Sequence, residues 1–121
     1  MSVTRSDYQS GPRRYVRATA TGAAALSERV EVGQASRVLW AGVKFSVAPT
    51  STENLVIAYD SASGAAYDVT LLTYDPSAES ATAVSWEPDE AIYLMPGDAL
   101  SVAYTNTDTR TWGLTVLLEV L

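Results

Sequence analysis

The amino-acid sequence predicts an all-β fold: an antiparallel β-sandwich of seven to nine strands, jelly-roll-like connectivity preferred, with an extended N-terminal arm. Three observations carry this. From residue 37 onward apolar residues alternate with period two. Turn residues recur at the roughly 8- to 12-residue spacing of sandwiches and barrels. No stretch shows the 3.6-residue period of a helix. At 121 residues the chain is sized for one domain, divided into an arm with entry strands (1–36) and the sandwich proper (37–121). A chain of this size buries roughly two-thirds of its unfolded surface, enough for one core without crosslinks.

In 38–47, Leu39, Ala41, Val43, Phe45 and Val47 fall on one face, with Trp40, Lys44 and Ser46 on the other. Ala48-Pro49-Thr50-Ser51-Thr52 breaks that strand. Leu55, Ile57 and Tyr59 share a side of 55–60, and Asp60-Ser61-Ala62-Ser63-Gly64 has turn composition. In 67–74, Tyr67, Val69 and Leu71 alternate with Asp68 and Thr70, and Asp75-Pro76-Ser77 ends the run. Two short strands, 82–86 and 91–95, flank Glu87-Pro88-Asp89, and Pro96-Gly97-Asp98 makes the next turn. Leu100, Val102 and Tyr104 alternate before Thr105-Asn106-Thr107-Asp108. The last strand, 111–120, places Trp112, Leu114, Val116, Leu118 and Val120 on one face.

The expected core is therefore Leu39, Val43, Phe45, Leu55, Ile57, Val69, Leu71, Ile92, Leu100, Val102, Leu114, Val116 and Leu118, with Trp86, Tyr104 and Trp112 beside it. Leu72, Leu117 and Leu121 lie on the opposite faces and are candidates for an exposed or subunit-covered apolar surface. Upstream, 15–20 and 28–32 can pair as strands. Residues 1–13 have almost no apolar periodicity and contain Gly11-Pro12, and residues 1–20 are expected to leave the sandwich and pack on another chain.

Charge is uneven. Residues 1–37 hold six arginines against three carboxylates, a balance of +3. Residues 38–121 hold only Lys44 and Arg110 against eleven carboxylates, a balance of −9, which makes the whole chain −6. A basic segment on an acidic body points to an acidic partner, either nucleic acid or a neighbouring protein surface. The sequence has no cysteine and no histidine. That removes thiolate metal sites, disulfides, thiol nucleophiles and His-based triads. It also removes the commonest metal ligand.

Four weak motifs fare no better. Arg13-Arg14 precedes a stretch too polar for a signal-peptide core, so no signal peptide is expected. The Asp60–Gly64 turn lacks the bidentate Glu and flanking helices of a calcium loop. Asp89 and Glu90 could suggest glycosidase carboxylates, but fourteen acids on a small domain give such pairs by chance. Arg13-Arg14-Tyr15 with Arg17 interleaves cations and an aromatic as single-strand binders do, while the acidic body repels phosphate. No enzyme activity, metal, cofactor, nucleic acid or membrane partner is expected.

What remains is partner binding. Arg5, Arg13, Arg14 and Arg17 on the arm offer bidentate contacts to carboxylates. Tyr8 and Tyr15 supply apolar contact area. Trp40, on the solvent side of its strand, is either a contact anchor or core in a sheet buried on both faces.

Several segments together resemble small β-sandwich structural proteins of tailed bacteriophages. They are Arg37 to Val47, the Ala48-to-Leu55 step, Ser61 to Asp68, Tyr93-Leu94-Met95-Pro96-Gly97-Asp98, and Asn106-Thr107-Asp108 before Trp112-Gly113-Leu114. The resemblance covers 37–121, about 70% of the chain, and rests on turn and strand features. It implies a virion component made in the host cytoplasm: a capsid decoration (cement) protein, or a head or tail accessory protein. The implied partners are the major capsid protein or other virion proteins, with homo-oligomers, trimers included, among the expected forms. The alternative class is a carbohydrate- or receptor-binding module in which Trp40 or exposed tyrosines stack on sugar rings.

Overall fold

The structure, a computed structural model, describes residues 2–121 and is built from ten strands. They are β1 (Ser2–Ser10), β2 (Arg13–Thr21), β3 (Leu26–Glu31), β4 (Ser36–Phe45), β5 (Leu55–Asp60), β6 (Val69–Tyr74), β7 (Ala83–Trp86), β8 (Tyr93–Leu94), β9 (Ala99–Tyr104) and β10 (Trp112–Val120). One sheet runs β1-β2-β10-β4-β7, with β8 also paired to β4; the other runs β3-β9-β5-β6. All pairings are antiparallel. The pairs β2·β10, β3·β9, β4·β7/β8 and β5·β6 nest as a single long hairpin rolled over itself, which is the jelly-roll connectivity.

The core lies between the sheets. Val43, Phe45, Leu55, Ile57, Leu100, Val102, Leu114, Val116 and Leu118 are buried as the alternation predicts, joined by Tyr104 and Trp112. Phe45 and Tyr104 stack at 5.2 Å between ring centroids, tilted by 57°. Ile57 is 1% exposed, so Ile57→Ala is expected to lower stability by about 2–5 kcal/mol in chemical denaturation. A cost under about half a kcal/mol would mean that the side chain is not core.

Two β-bulges correct the expected faces. Leu117 pairs with Trp40 but Leu118 pairs with Val38, so Leu39 is an extra residue in β4. The bulge leaves Leu39 half-buried and puts Val38 into the core. In β6, Ile57 pairs with Leu72 and Ala58 with Thr70, so Leu71 is the extra residue. Leu72 therefore packs against the core it was expected to face away from, while Val69 is exposed. Leu71, Ile92 and Trp86 are half-buried against the core rather than within it. Val47 lies beyond β4 and is exposed.

The N-terminal segment also differs from expectation. Val16, Ala18 and Ala20 alternate inward along β2 and are buried. β2 sits between β1 and β10 as an interior strand, paired with both along its length. β3 carries Leu26 and Val30 into the second sheet. Residues 13–21 are thus an integral strand, not part of an arm that leaves the domain. β1 alone keeps an arm's character: residues 3–10 are exposed on both faces, and only one edge is paired.

Polar latches close both ends of the sandwich. At one end, Asn106 is buried in the left-handed conformation (φ 62°). Its amide donates to Ala24 O and Arg110 O, each at 2.9 Å, and Trp112 Nε1 also donates to Ala24 O at 2.9 Å. Asp108 accepts from the backbone N–H groups of Thr50 and Ser51, both at 2.8 Å. These bonds and the Ser51 hydroxyl pull its carboxyl down to about 2. At the other end, the buried Asp98 accepts from the Tyr59 hydroxyl, Ala62 N at 2.9 Å and Met95 N at 3.0 Å.

Candidate binding face

Alternation fixes which side chains leave the six-stranded sheet outward. Because Val16, Ala18 and Ala20 point into the core, Tyr15, Arg17 and Thr19 point out. Likewise Leu117 and Thr115 lie outward on β10, and Trp40, Gly42 and Lys44 on β4. Strand register then aligns residues far apart in sequence. Tyr8 is opposite Tyr15, Tyr15 opposite Leu117, and Leu117 opposite Trp40. The result is an apolar stripe, Tyr8–Tyr15–Leu117–Trp40, running perpendicular to four strands on one face.

Glycine shapes the floor beside the stripe. A Cβ on Gly42 would collide with the six-membered ring of Trp40, so the indole lies across the bare backbone there. Trp40 Nε1 donates to Ser85 Oγ at 2.6 Å, which fixes the ring against β7. Next to the indole is a shallow trough of about 280 Å³, lined by Arg17, Lys44, Val84, Ser85, Gly113 and Thr115 among others. A second hollow of about 270 Å³ lies between Ser6, Tyr8, Tyr15 and Arg17.

Cations ring the same face. Arg13 and Arg37 flank Glu119 across β10, Arg17 is in the row next to Tyr15, and Lys44 is opposite Gly113. These four are half of the chain's eight basic residues, so the face is locally basic on a chain of net charge −6.

The fold separates the seven residues expected to bind partners. Tyr8, Arg13, Tyr15, Arg17 and Trp40 share the outer face. Arg5 and Arg14 lie on the other side of the sheet and serve their own chain. Arg5 Nη1 donates to Arg29 O at 2.9 Å and lies 3.5 Å from Glu28 Oε1. Arg14 forks onto Asp7, at 3.0 and 2.5 Å, and donates to Glu31 O at 2.9 Å. The Arg14 guanidinium holds the Asp7 carboxyl below its usual range. Together these bonds tie the overhanging β1–β2 hairpin to the edge of β3. Arg37, Lys44 and Gly42 are not among the residues expected to bind partners; alternation puts Lys44 on Trp40's side of the strand, and the same count puts Gly42 there too.

Among the described residues, no group of three or more His, Cys, Asp or Glu side chains is placed to hold a metal ion. No helix of the described residues is long and apolar enough to cross a membrane. No protein-family model matches the chain, and no curated protein matches it significantly.

Proposed function

We propose that this chain is a non-enzymatic assembly protein that docks on a protein lattice through the outer face of its six-stranded sheet. Capsid decoration (cement) on a phage particle is the specific role, with the major capsid protein as partner. The observation that carries the reading is the Tyr8–Tyr15–Leu117–Trp40 stripe with its surrounding cations. Tyrosine, tryptophan and arginine are the residue types that anchor protein interfaces. A basic rim on an acidic protein orients it toward an acidic surface and away from its own body.

The test is reattachment. Particles stripped of the protein are mixed with purified chain, and bound copies are counted after sedimentation. Trp40→Ala with Leu117→Ser is expected to weaken attachment by roughly 30-fold, the effect of losing about 2 kcal/mol from a contact centre. The double variant should keep its circular dichroism spectrum. Unchanged attachment would remove this face from the interface, and failure of the native chain to bind particles would remove the lattice role.

A second reading is favoured by one observation, the trough beside the flat-lying Trp40 indole. An aromatic wall next to a glycine-floored hollow that is also lined by Arg17, Lys44 and Ser85 suits a sugar ring, and jelly rolls also serve as lectin domains. Saturable binding of a glycan that is lost in Trp40→Ala would favour this carbohydrate-binding role.

A further inference from the structure

We propose that two copies of this chain pair β1 to β1, antiparallel about a two-fold axis through Ser6, joining their six-stranded sheets into one. This goes beyond the docking reading and does not depend on it. β1 is the longest open edge of the sandwich. It has nine residues, against six in β3, six in β6 and four in β7. Among the described residues nothing pairs with its outer side.

The hydrogen-bond parity of that edge follows from its neighbours. Val120 N donates to Pro12 O at 2.6 Å, continuing the β2·β10 ladder in register. The even residues of β2 therefore bond to β10, and the odd ones, Arg13 to Thr21, bond to β1. Those odd residues are opposite the even residues of β1. The N–H and C=O groups of Val3, Arg5, Asp7 and Gln9 consequently point outward.

Two antiparallel copies must match outward residue to outward residue, so the two-fold axis passes through a residue rather than between two. Centring on Arg5 or Asp7 sets like charges opposite each other. Centring on Ser6 sets Arg5 opposite the second copy's Asp7, and Asp7 opposite its Arg5. These are the only charged residues of the strand, and both lie on the same face. The same register also pairs Val3 with Gln9 and uses every outward group, for about eight main-chain hydrogen bonds. Charges on an edge strand ordinarily exclude foreign strands. Here Arg5 and Asp7, which also bond to Arg29 O and Arg14 of their own chain, would face opposite rather than like charge on a second β1.

The pairing is tested first by mass. Sedimentation equilibrium of the native chain is expected to show reversible doubling of the 12.9 kDa protein with concentration. Val3→Pro with Gln9→Pro removes outward N–H groups while sparing the ladder to β2, and should weaken the doubling by roughly 100-fold at an unchanged circular dichroism spectrum.

The register is tested by Ser6→Cys, in a chain with no other cysteine. Two Ser6 residues facing across a non-hydrogen-bonded pair have Cα atoms about 4.5 Å apart, within disulfide reach. Oxidation should give a covalent dimer. Tyr8→Cys should not crosslink, because its two copies would stand about 13 Å apart along the strands. A single-chain mass at every concentration up to about millimolar, or equal crosslinking at positions 6 and 8, would overturn the proposal.

Discussion

Removing residues 1–21 is expected to leave no folded domain, whereas removing residues 1–11 is expected to leave the sandwich intact. The longer deletion takes away β2, whose Val16, Ala18 and Ala20 are 0–2% exposed in the core. It also breaks an eight-pair ladder with β10. Lost apolar burial and main-chain bonding together amount to about 5 kcal/mol or more. That is comparable with the whole stability of a small domain, about 5–15 kcal/mol. It would also turn β10, with buried Leu114, Val116 and Leu118, into an open apolar edge. The shorter deletion removes β1 and its ladder to β2, leaving that edge of β2 to water, together with the surface contacts of Arg5 and Asp7, but no buried apolar side chain. Its expected cost is about 1–2 kcal/mol. Circular dichroism and thermal melting of the two truncations check this directly. A cooperative melt in the chain lacking 1–21 would show that β2 is dispensable, and the jelly roll would then have to close on β10.

The contrast explains how much of the fold the sequence made legible. β5, β9 and β10 carry large apolar side chains in strict alternation, as β4 does from Ala41 to Phe45, and each lies where that alternation predicts. β2 alternates too, but two of its three buried residues are alanines, so its core signal is faint. β1 has no apolar face in either direction; it is a strand only because β2 pairs with it, and local pattern cannot reveal that. The bulges at Leu39 and Leu71 were hidden for a related reason. A single inserted residue flips every side chain beyond it to the other face, and its position is set by the partner strand.

The binding face was half legible. Trp40 and Leu117 could be put on the solvent side by counting in twos, and Tyr8, Tyr15 and Arg17 stood out by composition. Their alignment into one stripe depends on the registers of β1·β2, β2·β10 and β10·β4. Those registers join residues 7, 102 and 77 positions apart. The arginines show the limit of reading charge alone. Arg13 and Arg14 are adjacent in sequence, yet alternation sends one to the outer face and the other to Asp7 and Glu31.

Asp98→Ala is expected to be among the most damaging single substitutions, at about 3–5 kcal/mol. The side chain is 5% exposed and accepts from three donors in two separate segments, Tyr59 and Ala62 on one and Met95 on the other. Removing it takes away the acceptor shared by these part-buried donors, at about 1–3 kcal/mol for each donor that water does not reach. Asp98→Asn keeps one acceptor oxygen but turns an NH₂ toward donors, so it should cost roughly half as much. The same bonds make the native protein acid-sensitive. The N–H of Ala62 and the Tyr59 hydroxyl hold the Asp98 carboxyl below its ordinary 3.8, and Asp108 lies at about 2. The folded protein therefore binds these protons more weakly than the unfolded chain. Their contribution is complete above about pH 4 and is lost as pH falls toward 2. Urea midpoints measured from pH 7 down to pH 2 should drop steeply over that window in the native chain. The drop should be shallower in Asp98→Asn, which starts lower and has one fewer carboxylate to protonate. Parallel curves for the two proteins would show that Asp98 does not carry the acid response, and would leave Asp108 and Asp7 to account for it.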